Sequence, residues 1–344
     1  MLSGRILAGM RLTQEQLDQC LERHVAFLNG VRDGRKLLMR RCDLSDLDLS
    51  GMDFRHAEML ACNFSGAMIR DANFGGAQLL ASKFDMTDLT GSRFDKAGMR
   101  ASSFDYADLT SARFSDADMR DCAIYDEETY EVSAPIPTSF RRALVRDTKM
   151  VQSRLKRACF NHAIIDQANL ANTDLRDASF LGTEITGADL TGARLDEVDF
   201  SGAAKLDEDV KGLELIKVNV TPKVPVSEQI EQTIARHTNW IRSGGSEGER
   251  ANFVGVDLSY RSLRGTNLAA ANLQGAVMIG TDISGALLAA ANLRGANLFR
   301  ADLRGADLRG ADLLETDMRH ARLTGCRKGT LPGTGLFTLL QEAS

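Results

Sequence analysis

From Leu293 to Leu313 an apolar residue recurs at every fifth position (Leu293, Leu298, Leu303, Leu308, Leu313), and a small one stands two before each (Ala291, Ala296, Ala301, Ala306, Ala311). A spacing of five matches neither the helical period of about 3.6 nor the strand period of about 2. Residues two apart on an extended chain share a face, so each quintet is a short extended piece that turns its Ala and Leu inward. The next inward pair begins three residues on, an odd step, so the chain has to turn a corner between quintets. Repetition winds a solenoid whose core is built by coils stacking on coils.

The same beat occupies most of the chain. A first array runs in phase through Leu44, Leu49, Phe54, Met59, Phe64, Ile69, Phe74 and onward to Phe114, Met119 and Ile124. From Phe54 to Phe114 phenylalanine takes every second centre. With four quintets per coil this puts Phe on two opposite faces, where rings roughly 4.8 Å apart form ladders. A second array shows that coil length directly, because Phe140, Phe160, Phe180 and Phe200 are separated by twenty. Its first part, Thr138 to Arg157, also fits a basic helix. The shared phase of Phe140, Val145, Met150, Leu155 and Phe160, with small residues two before each, favours coils. The third array, Phe253 to Leu323, replaces Phe by Leu almost throughout, and Val256 and Arg261 at its small positions predict a distorted first coil.

The interruptions are equally regular. Leu12 to Leu28 reads as an amphipathic helix with Thr13 as N-cap, Gln16 closing a capping box, and Leu17, Leu21, Val25 and Leu28 on its apolar face. An open first coil exposes apolar residues and unpaired strand edges, so this helix is expected to cover it. Tyr125 to Pro137 breaks the phase and holds two of the five prolines, which marks an excursion from the coil. After a linker from Leu206 to Val226, the stretch from Ser227 repeats the beginning: Ile230 aligns with Leu17, Ile234 with Leu21, His237 with His24 and Trp240 with Phe27. The resulting division is an N-terminal capping helix (1–38), array one (39–124), the excursion (125–137), array two (138–205), linker and second capping helix (206–250), array three (251–325) and a C-terminal cap (326–344). Leu331 to Leu340 is apolar enough to cap the final coil or to join two chains.

The motif A-[DN]-L-x-x resembles the pentapeptide repeat family, and the resemblance covers most of the chain. It implies an all-β solenoid, a right-handed quadrilateral β-helix of pentapeptide repeats, here with short capping α-helices, and it does not imply an enzyme. Some members of that family are DNA-mimicking binders of type II topoisomerases such as DNA gyrase, acidic rods dimerised through the C-terminal end. The acidic excess between residues 43 and 124 fits that reading, and the neutral to basic remainder does not.

Net charge is −5 and the sequence pI about 5.7, too mild to declare a partner. No phosphate-binding loop, serine-nucleophile elbow or zinc-binding helix motif is present, and no cofactor or metal site is expected. His24 and His237 occupy equivalent helix positions and read as structural. Asp302, Asp307, Asp312 and Asp317 carry the regularity of the repeat, facing outward before each centre to bond local backbone. Of the six cysteines, Cys42, Cys62 and Cys122 fall at the small inward position, as expected of a reduced, cytoplasmic and bacterial protein. No apolar run approaches membrane-spanning length, and direct nucleic-acid binding is not expected.

The expected task is therefore that of a non-catalytic scaffold for a protein partner, with a homodimer through the C-terminal segment open. Ile279 and Phe299 each follow a centre and lie twenty apart, so they should point outward as a small apolar patch, with Tyr260, Leu287 and Leu314 as lesser candidates. Either a partner or the linker or tail could cover it. A basic cluster including Arg141, Arg142 and Arg146 would meet an anionic partner or pair with acidic neighbours.

Overall fold

The computed structural model describes residues 6–125, 131–204, 210–212 and 226–330. Most of the 206–226 linker and the whole 331–344 tail lie outside them. The chain divides into two compact units, Met1–Lys223 and Val224–Ser344. Each is a stack of four-sided coils in which a residue pairs in parallel with the one twenty positions on, as Asp53 with Asn73 or Asn272 with Asn292.

In the first unit the regular strands are β1 (Leu7–Ala8), β2 (Leu38–Arg40), β3 (Glu58–Leu60), β4 (Leu144–Arg146), β5 (Ile164–Asp166) and β6 (Glu184–Thr186). β1, β2 and β3 form one parallel sheet, and β4, β5 and β6 another. The expected Phe ladders are present. Phe54, Phe74, Phe94 and Phe114 stack at 4.7, 4.8 and 4.9 Å between ring centroids. The opposite face carries Phe64, Phe84, Phe104, Phe140, Phe160, Phe180 and Phe200, spaced 4.6 to 5.0 Å. Across the axis the two ladders meet edge to face, as Phe64 and Phe74 do at 86°. Offset and edge contacts are the arrangements that the ring quadrupole favours.

Thr138–Arg157 is coil: Ser139 pairs with Ser103 below and Cys159 above. The step from Ser103 to Ser139 is thirty-six residues, a coil plus sixteen. The extra chain leaves earlier than its composition indicates. Cys122 and Ile124 are half-buried instead of fully inward, because Cys122 pairs antiparallel with Ile136 and Tyr125 with Val132. The last quintet of the first array has peeled off to become one arm of a hairpin.

The array also begins earlier than expected. β1 pairs Leu7 with Met39, and Arg11 pairs with Asp43, so residues 7–12 supply two faces of an additional coil with Leu7 and Leu12 buried. Helix α1 (Gln14–Leu28) stands over the other two faces. Its capping box is as predicted, with Thr13 and Gln16 bonding reciprocally. Its buried stripe differs: Leu17 and His24 are buried and Cys20 and Leu21 pack on the core, while Val25 and Leu28 are only partly covered. The reason is hydrogen bonding. The Gln14 amide donates to the Asp48 carbonyl (2.9 Å) and accepts from the Asp48 N–H (3.1 Å), replacing a missing strand. His24 Nδ1 accepts from the Leu37 N–H (3.1 Å), so Nε2 carries the proton toward the Arg55 carbonyl (3.0 Å). The unpaired edge of the coil is thus met by side chains.

Helix α2 (Val226–Arg242) repeats the device in the second unit. His237 Nδ1 accepts from the Ala251 N–H at 3.0 Å, and Ile230 and Ile234 pack on the leucine core. The loops after both helices fold back in the same way: Arg35 donates its N–H to Arg23 O (2.9 Å) and Glu249 to Arg236 O (3.2 Å). The first coil keeps full register despite Val256 and Arg261, with Asn252, Asp257 and Ser262 paired to Asn272, Val277 and Asp282. No distortion follows: Val256 packs against the leucine core, and both residues stay partly exposed.

Candidate interaction surfaces

The carboxylates and amides before each centre serve the corner that follows. Asp302 Oδ1 accepts from the Arg304 N–H (3.1 Å) and Asp312 Oδ1 from the Leu314 N–H (3.0 Å), as Asp48 does from Ser50 in the first array. Such local bonds occupy the outward position that a periodic acidic site would need. Several of these aspartates also clasp the arginine two residues on: Asp302 with Arg304 and Asp307 with Arg309, both at 2.6 Å. The guanidiniums hold these carboxyls below their ordinary range. Asp85 and Asp108 move the other way, raised by burial against the coil. Among the described residues no group of three or more His, Cys, Asp or Glu is placed to hold a metal ion. Nor is any described helix long and apolar enough to cross a membrane.

Ile279 and Phe299 do not form an exposed patch. They are 2% and 1% exposed. The position after a centre lies on the flank of a corner, and whether it is wetted depends on what the neighbouring coils lay over it. The Arg300 and Arg319 guanidiniums stand 5.3 and 5.5 Å from the Phe299 ring, and His320 meets it edge-on at 5.3 Å. On another face the equivalent Ala269 and Ala289 are covered by Trp240 and Ile241 of α2. Tyr260 is half-buried, lying over Gly280, and Leu287 is half-buried. Leu314 is 53% exposed, and Val254 on the same face 50%.

The basic cluster sits among acids. Arg146 pairs with Asp166 (2.9 Å), Arg141 with Asp105 (3.9 Å) and Arg157 with Asp121 (3.2 Å), while Arg142 donates to the Tyr106 hydroxyl. Acids of the first array have partners too: Asp53 with Arg55 (2.7 Å), Asp88 with Arg70 (2.5 Å) and Asp118 with Arg120 (2.8 Å).

What residue counting missed is the hairpin. Its arms, Cys122 with Ile136 and Tyr125 with Val132, present Tyr125, Val132 and Ile136 at 52%, 65% and 43% exposure. The break in phase was readable, and the antiparallel pairing was not, since no glycine turn announces it. Beyond the hairpin the coil closes as if uninterrupted, Phe140 stacking on Phe104 at 5.0 Å and 6°.

Comparison with known proteins yields a sequence profile, pentapeptide repeats, matching in eight copies over residues 39–76, 82–121, 138–177, 163–202, 251–289 and 291–327, more than half of the chain. No curated protein matches. Among solved structures, the chain is similar to HetL, a pentapeptide repeat protein involved in heterocyst differentiation regulation from the cyanobacterium Nostoc sp. strain PCC 7120. That match has 19% identity over 92% of this chain and 96% of the other, with a TM-score of 0.28. QnrB1, a plasmid-mediated fluoroquinolone resistance protein, matches at 18% identity over 77% and 95%, with a TM-score of 0.18. Rfr23, a pentapeptide repeat protein from the cyanobacterium Cyanothece 51142, matches at 15% over 67% and 91%, with a TM-score of 0.21.

Proposed function

The chain belongs to the pentapeptide repeat family, and on that premise we propose that it is a non-catalytic scaffold whose first unit holds the Cys122–Ile136 hairpin out to a protein partner. One observation carries the reading. Sixteen residues are inserted and the ladder resumes in register, Phe104 on Phe140, and none of the insertion's described residues belongs to the buried core. What it adds is a pair of arms exposing Tyr125, Val132 and Ile136 beside the stack, and repeat solenoids act through what decorates them. The six free cysteines support a reducing, cytoplasmic setting.

Excision of residues 122–137 tests this cleanly. Thr138 then takes the inward slot of Cys122 and Phe140 that of Ile124, which restores an unbroken twenty-residue period. The shortened protein should keep its circular dichroism and thermal midpoint and lose the proteins captured by the intact chain. Equal capture by both forms would remove the hairpin from consideration.

The topoisomerase alternative draws on the acidic first array, but arginines beside Asp53, Asp88 and Asp118 reduce its resemblance to a phosphate backbone. A gyrase supercoiling assay separates the two readings: no effect of the intact protein at micromolar concentration retires the alternative. Self-association is supported by the last coils of the second unit, where Leu313, Met318 and Leu323 are only half-buried.

A further inference from the structure

An inward column starting at Cys42 runs one residue per coil through Cys62, Ser82, Ser102 and Thr138, all buried. From Ser82 onward each hydroxyl donates to a main-chain carbonyl of the preceding coil: Met59 (2.8 Å), Leu79 (2.8 Å) and Met99 (3.2 Å). Sulfur occupies only the outer two places. Asp43 and Asn63 are ladder partners, so the cysteines immediately before them lie side by side on adjacent parallel strands. Their Cα atoms are then roughly 4.8 Å apart, within the roughly 4.4 to 6.8 Å that a disulfide spans. We propose that Cys42 and Cys62 are a peroxide-sensitive thiol pair that closes into a disulfide, stapling the first full coil of the first array to the second.

The pair is electronically unequal. The contact between the two thiols holds the Cys42 pKa down, and the same contact together with burial pushes Cys62 up. Cys42, nearer the end of the stack beside β1, is the thiol that peroxide reaches first, and Cys62, one coil further in, is the reserve thiol. Access comes from the end of the stack. Cys42 Sγ lies 3.3 Å from the Leu7 carbonyl of β1, a two-residue strand in the outermost partial coil, and such terminal elements open locally at low cost. With hydrogen peroxide, the Cys42 thiolate attacks one oxygen, the O–O bond breaks, and the departing hydroxide leaves as water after taking a proton. Cys62 sulfur then attacks the sulfenic sulfur of Cys42, and the S–O bond breaks as the S–S bond forms. The second hydroxide leaves as water with the Cys62 proton. Two thiols and one peroxide give one disulfide and two waters, the sulfurs surrendering two electrons. Cys20, half-buried on α1, has its thiol raised by burial and is the poorer nucleophile.

The test uses the full chain, reduced, exposed to hydrogen peroxide, alkylated and digested with trypsin without reductant. The expected product joins the peptide Cys42–Arg55 to His56–Arg70, two hydrogens lighter than their sum, with two of the six thiols lost and restored by dithiothreitol. The thermal midpoint of the oxidised form should rise by a few degrees. Cys62→Ala, which places the column's usual small residue there, should fold, give no joined peptide and trap a sulfenic acid at Cys42. The proposal is overturned if no joined peptide forms, if Cys42 is found linked to the Leu12–Arg23 peptide that holds Cys20, or if Cys62→Ala still loses two thiols.

Discussion

The phenylalanine-lined coils of the first unit and the leucine-lined coils of the second keep one twenty-residue period by different means. In the first, rings fill the axis and the corner residue two after each centre is mostly not glycine, although its φ is positive: Asp46, Ala81, Met86 and Tyr106 lie between 56 and 61°. In the second, glycine takes many of those corners, as at Gly255, Gly265, Gly275, Gly285 and Gly295, all between 63 and 65°. A side chain in the left-handed region costs about 1 kcal/mol. Aromatic coils bury more apolar surface per turn and offset that strain, whereas leucine coils bury less and avoid it. The corner conformation is what the repeat requires, and composition decides only how it is reached.

The comparison can be broken most forcefully at its aromatic centre. Phe84 stacks on Phe64 and Phe104 and meets Phe74 and Phe94 edge-on. Phe84→Ala should cost about 3 to 5 kcal/mol in denaturant unfolding. Leu288→Ala in the second unit should fall toward the lower part of the range of about 2 to 5 kcal/mol, and equal losses would deny the ladders any special weight.

Next come the two helix caps. A Cβ on Gly34 would sit 2.2 Å from the Phe27 nitrogen, and one on Gly248 2.2 Å from the Arg236 carbonyl oxygen. Gly34→Ala and Gly248→Ala should each cost about 1 to 3 kcal/mol by overpacking, read as a fall in the midpoint of the unit concerned. A loss at one site alone would show that the duplicated caps are not equivalent.

Acidification should separate the units further. Burial lowers the pKa of both His24 and His237, the latter to about 4. His24 donates from Nε2 to the Arg55 carbonyl, whereas His237 faces the Ala269 backbone in the equivalent place without reaching full hydrogen-bond geometry at Nε2. Each native imidazole must stay neutral to accept from backbone. The unfolded chain therefore binds more protons between about pH 6.5 and the folded value, and stability falls as pH drops through that window. Calorimetry at pH 7 and pH 5 should show the second unit losing more than the first, and His237→Ala should flatten its pH dependence.

The smallest effects test the corners themselves. Gly285 has φ +65° and open space where a Cβ would stand, so Gly285→Ala isolates the backbone cost and should destabilise by about 1 kcal/mol. Ala81, at φ 57°, offers the reverse: Ala81→Gly should be neutral to slightly stabilising, since relief of strain is set against a looser unfolded chain. A clear loss at Ala81→Gly would mean that its methyl contributes packing.

Much of this was legible beforehand because the repeat is dictated locally. Alternation along an extended chain, a corner every fifth residue and apolar centres specify coils without reference to distant residues, and the Phe140, Phe160, Phe180 and Phe200 spacing reported coil length directly. Thr13 and Gln16 likewise announced the start of α1. The surfaces were far less legible. Phe299 obeys the same local rule as Leu314, yet it is covered and Leu314 is exposed, because Arg300, Arg319 and His320 lie against the Phe299 ring.

The amino-acid order by itself determined the coil, its period and which side chains enter the axis, since each follows from steric alternation over five residues. Only tertiary structure decided where the stack starts, which flank is wetted and where the coil resumes after the hairpin. Leu7 meets Met39 and Ser103 pairs with Ser139 through steps of thirty-two and thirty-six residues. Such steps depend on how much chain is diverted into a helix or a hairpin between successive coils, and no local pattern encodes that length.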